Sequence, residues 1–172
     1  MKKLVYAIVA LAALTLASCE KDPIGGTATA KVSGQWYVEC LGIDADGTIL
    51  VEDADLFDIG KFWVTTFNTA ANDADSMFIQ DVFGALWDFK IKVAVDQAAG
   101  TFGITAGENL QYPCTADITN GKILYGAAKT PSGQPADSIV FDILFDDDPY
   151  AGIYYDRMRV TGLRYTGLAA DD

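Results

Sequence analysis

Three kinds of side chain in this sequence could do chemistry: carboxylates, cysteines and large aromatics. Asp and Glu number 24 against 12 Lys and Arg, and histidine is absent. Without an imidazole, Ser-His-Asp and Cys-His relays and His-ligated zinc are excluded within the chain. A Ser-Lys or paired-Asp hydrolase stays formally open. Yet no serine stands in a Gly-x-Ser-x-Gly elbow, and none beyond residue 18 begins a Ser-x-x-Lys. No catalytic residue is therefore assigned, and the reading leans away from an enzyme. Asp44, Asp46 and the run Asp146-Asp147-Asp148 carry the oxygen donors that Ca²⁺ takes. A calcium loop around Asp44 would need an acid where Gly42 stands, a Glu where Asp53 stands, and flanking helices. Both clusters read as turn chemistry, so no metal or other cofactor is expected. Cys40 shares its parity with Trp36 and Val38, and Cys114 shares its parity with Ile118. In a meander they fall on non-adjacent strands, and a bridge needs Cα atoms within about 7 Å. Two buried thiols are expected rather than a disulfide. The aromatics are the remaining candidates. Phe62 or Trp63, Trp87, Phe89, Phe141 and Phe145 fall at apolar, inward-reading positions. They either fill an interior or line a cavity for one small hydrophobic ligand.

The elements that must position these groups are strands. Gly34-Gln35-Trp36-Tyr37-Val38-Glu39-Cys40 alternates apolar and polar residues, as does Trp87–Asp96. In the latter, Trp87, Phe89, Ile91, Val93 and Val95 make one face, and Asp88, Lys90, Lys92 and Asp96 the other. In Ser138–Phe145, residues Ile139, Phe141, Ile143 and Phe145 face in and Asp142 faces out. In the last strand, about Ile153–Tyr165, Arg157 and Arg159 share one parity and Arg164 has the opposite one. One of the first two could lie beside Asp142 as an exposed pair worth at most about 1 kcal/mol. Asn120-Gly121 reads as a hairpin turn between Tyr112–Thr119 and Lys122–Ala127. Eight to ten short strands joined by short connections predict an all-β fold. An antiparallel up-and-down β-barrel of about eight strands fits best, because closure removes exposed edges; a β-sandwich is the alternative.

The formal charge is −12. Such a surface repels phosphate backbones and gives no attraction to anionic headgroups, so nucleic acid is not an expected partner. Membrane attachment must come from the N-terminus. There Lys2-Lys3 precedes an apolar run from Leu4 to Leu16, too short for a comfortable membrane span. The run ends in Leu16-Ala17-Ser18-Cys19, which resembles the lipobox of bacterial lipoproteins. That resemblance implies a signal peptide over 1–18 and lipidation of Cys19 with acyl chains such as palmitate, which anchor stably together. Residues 19–32 then read as the lipidated cysteine and a flexible tether. Glu20-Lys21-Asp22 resembles the charged export tags of Bacteroidetes surface lipoproteins. A single barrel domain is expected over 33–168.

The two ends of the barrel resemble a known pairing. In lipocalins and related calycin barrels, a Gly-x-Trp in the first strand is covered by an Arg from the last. Gly34, Trp36 and Arg164 match that arrangement, which implies a barrel-closing role and places any ligand at the opposite end. Several segments resemble the Bacteroidetes lipoprotein family called "lipid-binding putative hydrolase": Gly34–Val38, Asn68–Asp73, Trp87–Val93, Thr130–Ser138 and Gly162–Gly167. Where that family's ending has a second basic residue after the Arg, this chain has Tyr165. The resemblance implies a cell-envelope protein, an outer-membrane lipoprotein exposed at the surface. Its expected function is non-catalytic binding of a small apolar or amphipathic, lipid-like ligand by a monomer. The alternative is a surface structural or interaction protein that meets a partner protein or glycan. The hydrolase of the family's name comes third.

Overall fold

The computed structural model describes residues 26–50 and 56–171. The signal segment 1–18 and Cys19 lie outside the described residues. Eight strands follow one another: β1 (Gly34–Ile43), β2 (Phe62–Asn68), β3 (Ser76–Asp81), β4 (Lys90–Asp96), β5 (Thr101–Glu108), β6 (Thr115–Lys129), β7 (Pro135–Phe145) and β8 (Arg157–Arg164). Each pairs antiparallel with the next, and β8 pairs with β1, so the sheet is a closed up-and-down barrel rather than a sandwich. The period of two drives this closure. On β4, Ile91, Val93 and Val95 are buried while Lys92, Ala94 and Asp96 are exposed. The same alternation around the ring gathers Val38, Val64, Ile79, Ile91, Ile139, Phe141 and Val160 into one apolar core.

The structure corrects three local expectations. Asn120-Gly121 is not a hairpin; it lies within the fifteen-residue β6. Thr119 pairs with Asp142 and Lys122 with Val140, so β6 carries one extra residue there, a bulge. Asn120 takes a left-handed φ of 55° and its amide donates to Asp142 Oδ2 at 2.8 Å. At Gly121 any Cβ would overlap the carbonyl oxygen of Phe102. The dipeptide thus meets the needs of a bulge, and both halves of β6 keep their partners on β5 and β7. Second, the described end of the 19–32 stretch is not a free tether. Val32 N and Ser33 N both donate to Thr29 O at 3.0 Å, Val32 is fully buried, and Gln97 Nε2 donates to Ala28 O. An apolar residue at 32 can satisfy its burial only by folding this turn under the barrel. Third, β4 begins at Lys90, not Trp87.

The barrel's two ends differ. At one, the entering chain (residues 27–33), the short turns after β2, β4 and β6, and the tail after β8 come together. At the other lie the described parts of the longer connections, 44–50 with 56–61, 82–89, 109–114 and 146–156, hereafter the loop end.

Candidate functional site

The entry end is built shut. Trp36 on β1 is completely buried, and its Nε1 donates to Thr66 Oγ1 at 2.9 Å, whose hydroxyl in turn donates to Val32 O. The Arg164 guanidinium lies over the indole, 4.4 Å from the ring centroid. It also donates to Ser33 O at 2.6 Å and pairs with Asp137 at 2.9 Å. A Cβ on Gly34 would overlap Arg164 Nη1, so the cation can cross the first strand only where a side chain is missing. Pairing of Trp36 directly opposite Arg164 in the β1–β8 ladder sets this geometry.

The middle is filled. Phe62, Phe89, Phe141 and Phe145 are all buried, with Phe89 against Phe145 at 5.7 Å and Phe102 against Phe141 at 5.9 Å between centroids. Trp63 faces outward, where its ring packs between Tyr37 (4.9 Å) and Tyr165 (4.4 Å). Only the even positions of β2 reach the interior, so of the two candidates Phe62 is inside and Trp63 is not. Trp87 reaches the core from the loop before β4. It stacks on Phe145 at 5.0 Å, nearly parallel, and covers the barrel mouth. Its Nε1 donates to Tyr112 Oη, which donates to Asp147 Oδ2 at 2.9 Å, so three connections are stitched across the opening. Burial, together with the Cys114 and Asp147 contacts, pushes the Tyr112 phenol well above its ordinary range. Burial and its bond to Asp148 raise the Tyr155 phenol as well. Neither phenol can serve as a base near neutrality.

The loop end carries what the interior withholds. Among the described residues, twelve large apolar side chains are exposed, and nine stand on the loop-end connections: Ile49, Leu50, Phe57, Val82, Phe83, Leu110, Tyr150, Ile153 and Tyr154. Phe83 is 77% exposed, Ile153 71% and Tyr154 66%. Phe57, Tyr150 and Tyr154 adjoin in one cluster, with centroids 5.7 and 6.1 Å apart. Buried Asp81, which the sequence reading did not single out, shapes the 82–87 turn. Its oxygens accept from the backbone of Phe83, Leu86 and Trp87. That one carboxylate sets Phe83 outside and Trp87 inside.

No disulfide joins Cys40 and Cys114, and both thiols are buried. Cys114, Asp146 and Asp147 bring potential metal ligands within 4.8 Å of one another. They are already engaged: Asp146 accepts two hydrogen bonds from Thr115, Asp147 accepts from Tyr112, and Cys114 Sγ accepts from Asn109. The mixture of one soft sulfur with two hard oxygens also suits no single common cation well.

Residues 21–169 match the family model described as "Lipid-binding putative hydrolase". The chain belongs to that family. Membership supports lipid binding in general terms and leaves the site to the geometry. The chain is also similar to a structural-genomics crystal structure of unknown function from Bacteroides ovatus. The two share 11% identity with a TM-score of 0.45, covering 78% of this chain and 42% of that one. The chain thus spans under half of that protein's length. Comparison with curated proteins gave no match.

Proposed function

We propose that this lipid-binding family member is a non-catalytic envelope protein, anchored through Cys19, that holds the apolar part of a lipid-like amphiphile against its loop end. The observation that carries this reading is the gathering of nine exposed apolar side chains on the connections farthest from the chain's entry. Among the described residues the interior offers no comparable place, because its aromatics are packed on one another and Trp87 stacks on Phe145 at the mouth. Acidic side chains alternate with the apolar tips, among them Asp58, Asp88, Asp146, Asp147 and Asp156. They favour a neutral, zwitterionic or cationic head over an anionic one. Catalysis finds little support: the chain has no histidine, and the phenols of half-buried Tyr112 and buried Tyr155 at the mouth are held neutral.

The test is a titration of the mature protein with a monoacylglycerol, a lysophosphatidylcholine and a fatty acid. Saturable binding is expected, with the fatty acid weakest. The triple variant Phe83→Ser, Ile153→Ser, Tyr154→Ser removes three tips worth on the order of 1 kcal/mol each, so affinity should fall about a hundredfold. Leu124→Ser, an exposed apolar position on the barrel wall, should change nothing. Undiminished binding by the triple variant, or no binding of any of the three lipids, overturns the reading.

A further inference from the structure

A second site lies on the outside of the barrel, away from the rim. The tail after β8 turns back, and Asp171 accepts hydrogen bonds from Ser132 N (2.9 Å) and Thr166 Oγ1 (2.6 Å). Thr130, itself buried, ties the facing loop together by bonding Ser132 and Gln134. Tail and loop wall a groove of about 290 Å³ over the outer faces of β1, β7 and β8. The walls are thus held by hydrogen bonds before any ligand arrives, which reduces the ordering cost of binding.

The groups left in the groove are of mixed kind. Glu39 is half-buried, and its carboxylate has no hydrogen bond or ion pair among the described residues. Lys61 stands one step beyond the Val38–Phe62 pair, across from Glu39, yet forms no ion pair with it. Its ammonium lies instead 5.7 Å from the centroid of the Tyr37 ring. Tyr37, Tyr165 and Thr161 also line the space, their hydroxyls have no hydrogen-bond partner among the described residues, and the two tyrosine rings are braced through Trp63.

Elimination narrows the occupant. An alkyl chain would strip water from Glu39 and Lys61 and replace none of their hydrogen bonds. A simple anion meets Glu39 and Asp171, and a simple cation meets Lys61 and Arg164. A neutral ring bearing several hydroxyls answers every group: it donates to Glu39, accepts from Lys61, exchanges hydrogen bonds with Thr161 and Tyr165, and lays its C–H face on an aromatic. The volume is at the small end for ligand sites, enough for one or two such rings. We propose that this groove binds a small neutral saccharide. The inference is independent of the lipid rim.

The test is ligand-observed NMR of the mature protein with a panel of neutral mono- and disaccharides. Glucuronate serves as the anionic arm and choline as the cationic arm. At least one neutral saccharide should bind at millimolar concentration. Glu39→Gln, which keeps the shape and removes the charge-assisted acceptor, should weaken it about tenfold. Thr161→Val should weaken it as well, and both variants should keep the wild-type urea midpoint. The triple rim variant should bind the saccharide unchanged, so failure of one site is distinguishable from failure of the other. Three results would overturn the proposal: no neutral saccharide binds, choline or glucuronate binds more tightly than all of them, or both groove variants bind as wild type.

Discussion

Gly34→Ala perturbs the closed end without removing either of its partners. The added methyl overlaps Arg164 Nη1, so the guanidinium must swing off the indole. Three interactions go with it. The charge-assisted bond to Ser33 O contributes about 1.5–3 kcal/mol. The cation over a fully buried indole contributes about 1–2 kcal/mol. The Asp137 pair, with both partners about a quarter exposed, contributes about 0.5 kcal/mol. Ser33 O and Asp137 regain water once the cation is gone, so Arg164→Ala should cost about 3–4 kcal/mol, the lower part of the combined range of about 3–5.5 kcal/mol. Gly34→Ala should cost about 2–3 kcal/mol, because the displaced guanidinium regains water and alanine stiffens the unfolded chain by about 0.4–1 kcal/mol. The double variant should be hardly worse than Arg164→Ala alone, leaving a coupling of about 2 kcal/mol. Urea unfolding followed by tryptophan fluorescence reads this directly. With a slope of about 2 kcal/mol/M, Arg164→Ala should lower the midpoint by about 1.5–2 M at unchanged slope. Additive single variants, or an Arg164→Ala protein that unfolds with wild type, would refute the reasoning.

Three further outcomes are expected. Gly121→Ala drives a Cβ into the Phe102 carbonyl, a backbone group that cannot step aside, and should cost about 2 kcal/mol or more in the same urea assay. Asp142, 2% exposed, is gripped by Arg159 through both oxygens at 2.7 and 3.0 Å. Burial alone would raise its pKa; the Arg159 and Asn120 hydrogen bonds and the Arg159 and Arg157 charges win and lower it. Its contribution is thus complete above the ordinary carboxylate range near about 4 and fades as pH falls below it. Asp142→Asn should cost about 3 kcal/mol at neutral pH, with a flatter acid limb in a stability–pH profile. Asp171, lowered to about 2 chiefly by the Thr166 hydroxyl and further by Ser132, has the same sign. The tail should stay docked at pH 5 and open as pH approaches about 2, read as faster proteolysis or hydrogen exchange over 166–171, and Asp171→Asn should open it at neutral pH.

Much of the fold was legible because period-two alternation survives in nearly every strand, and closure follows from the number of strands and their short connections. Parity put Trp36 and Arg164 both at inward positions, and the resemblance to calycin barrels paired them, as the β1–β8 ladder does. What sequence could not supply was three-dimensional context. Asn120-Gly121 carries the same left-handed preference in a bulge as in a hairpin, and only pairing to β5 and β7 on either side decides between them. Asp142 reads as a surface acid; the turn at 44–48 covers it, and Arg159 Nη1 donates to Gly47 O at 3.1 Å, a contact 112 residues apart in the chain. Trp63 and Phe62 are adjacent and equally apolar, so the face of β2 that points inward had to come from the ladder. The rim was hidden for a related reason. Its apolar residues come singly or in pairs from four separate loops, and none of those loops shows a pattern by itself.

The central claim, that a lipid-like ligand sits on the loop end rather than inside the barrel, is tested most directly by amide chemical-shift mapping. The titrant is a single-chain zwitterionic amphiphile below its micelle concentration. Shifts confined to 44–50, 56–60, 82–88, 109–114 and 146–156 are expected, with Ile139, Phe141 and Val160 unmoved. Shifts centred on those core strands, or none at the loop end at saturating amphiphile, would contradict it.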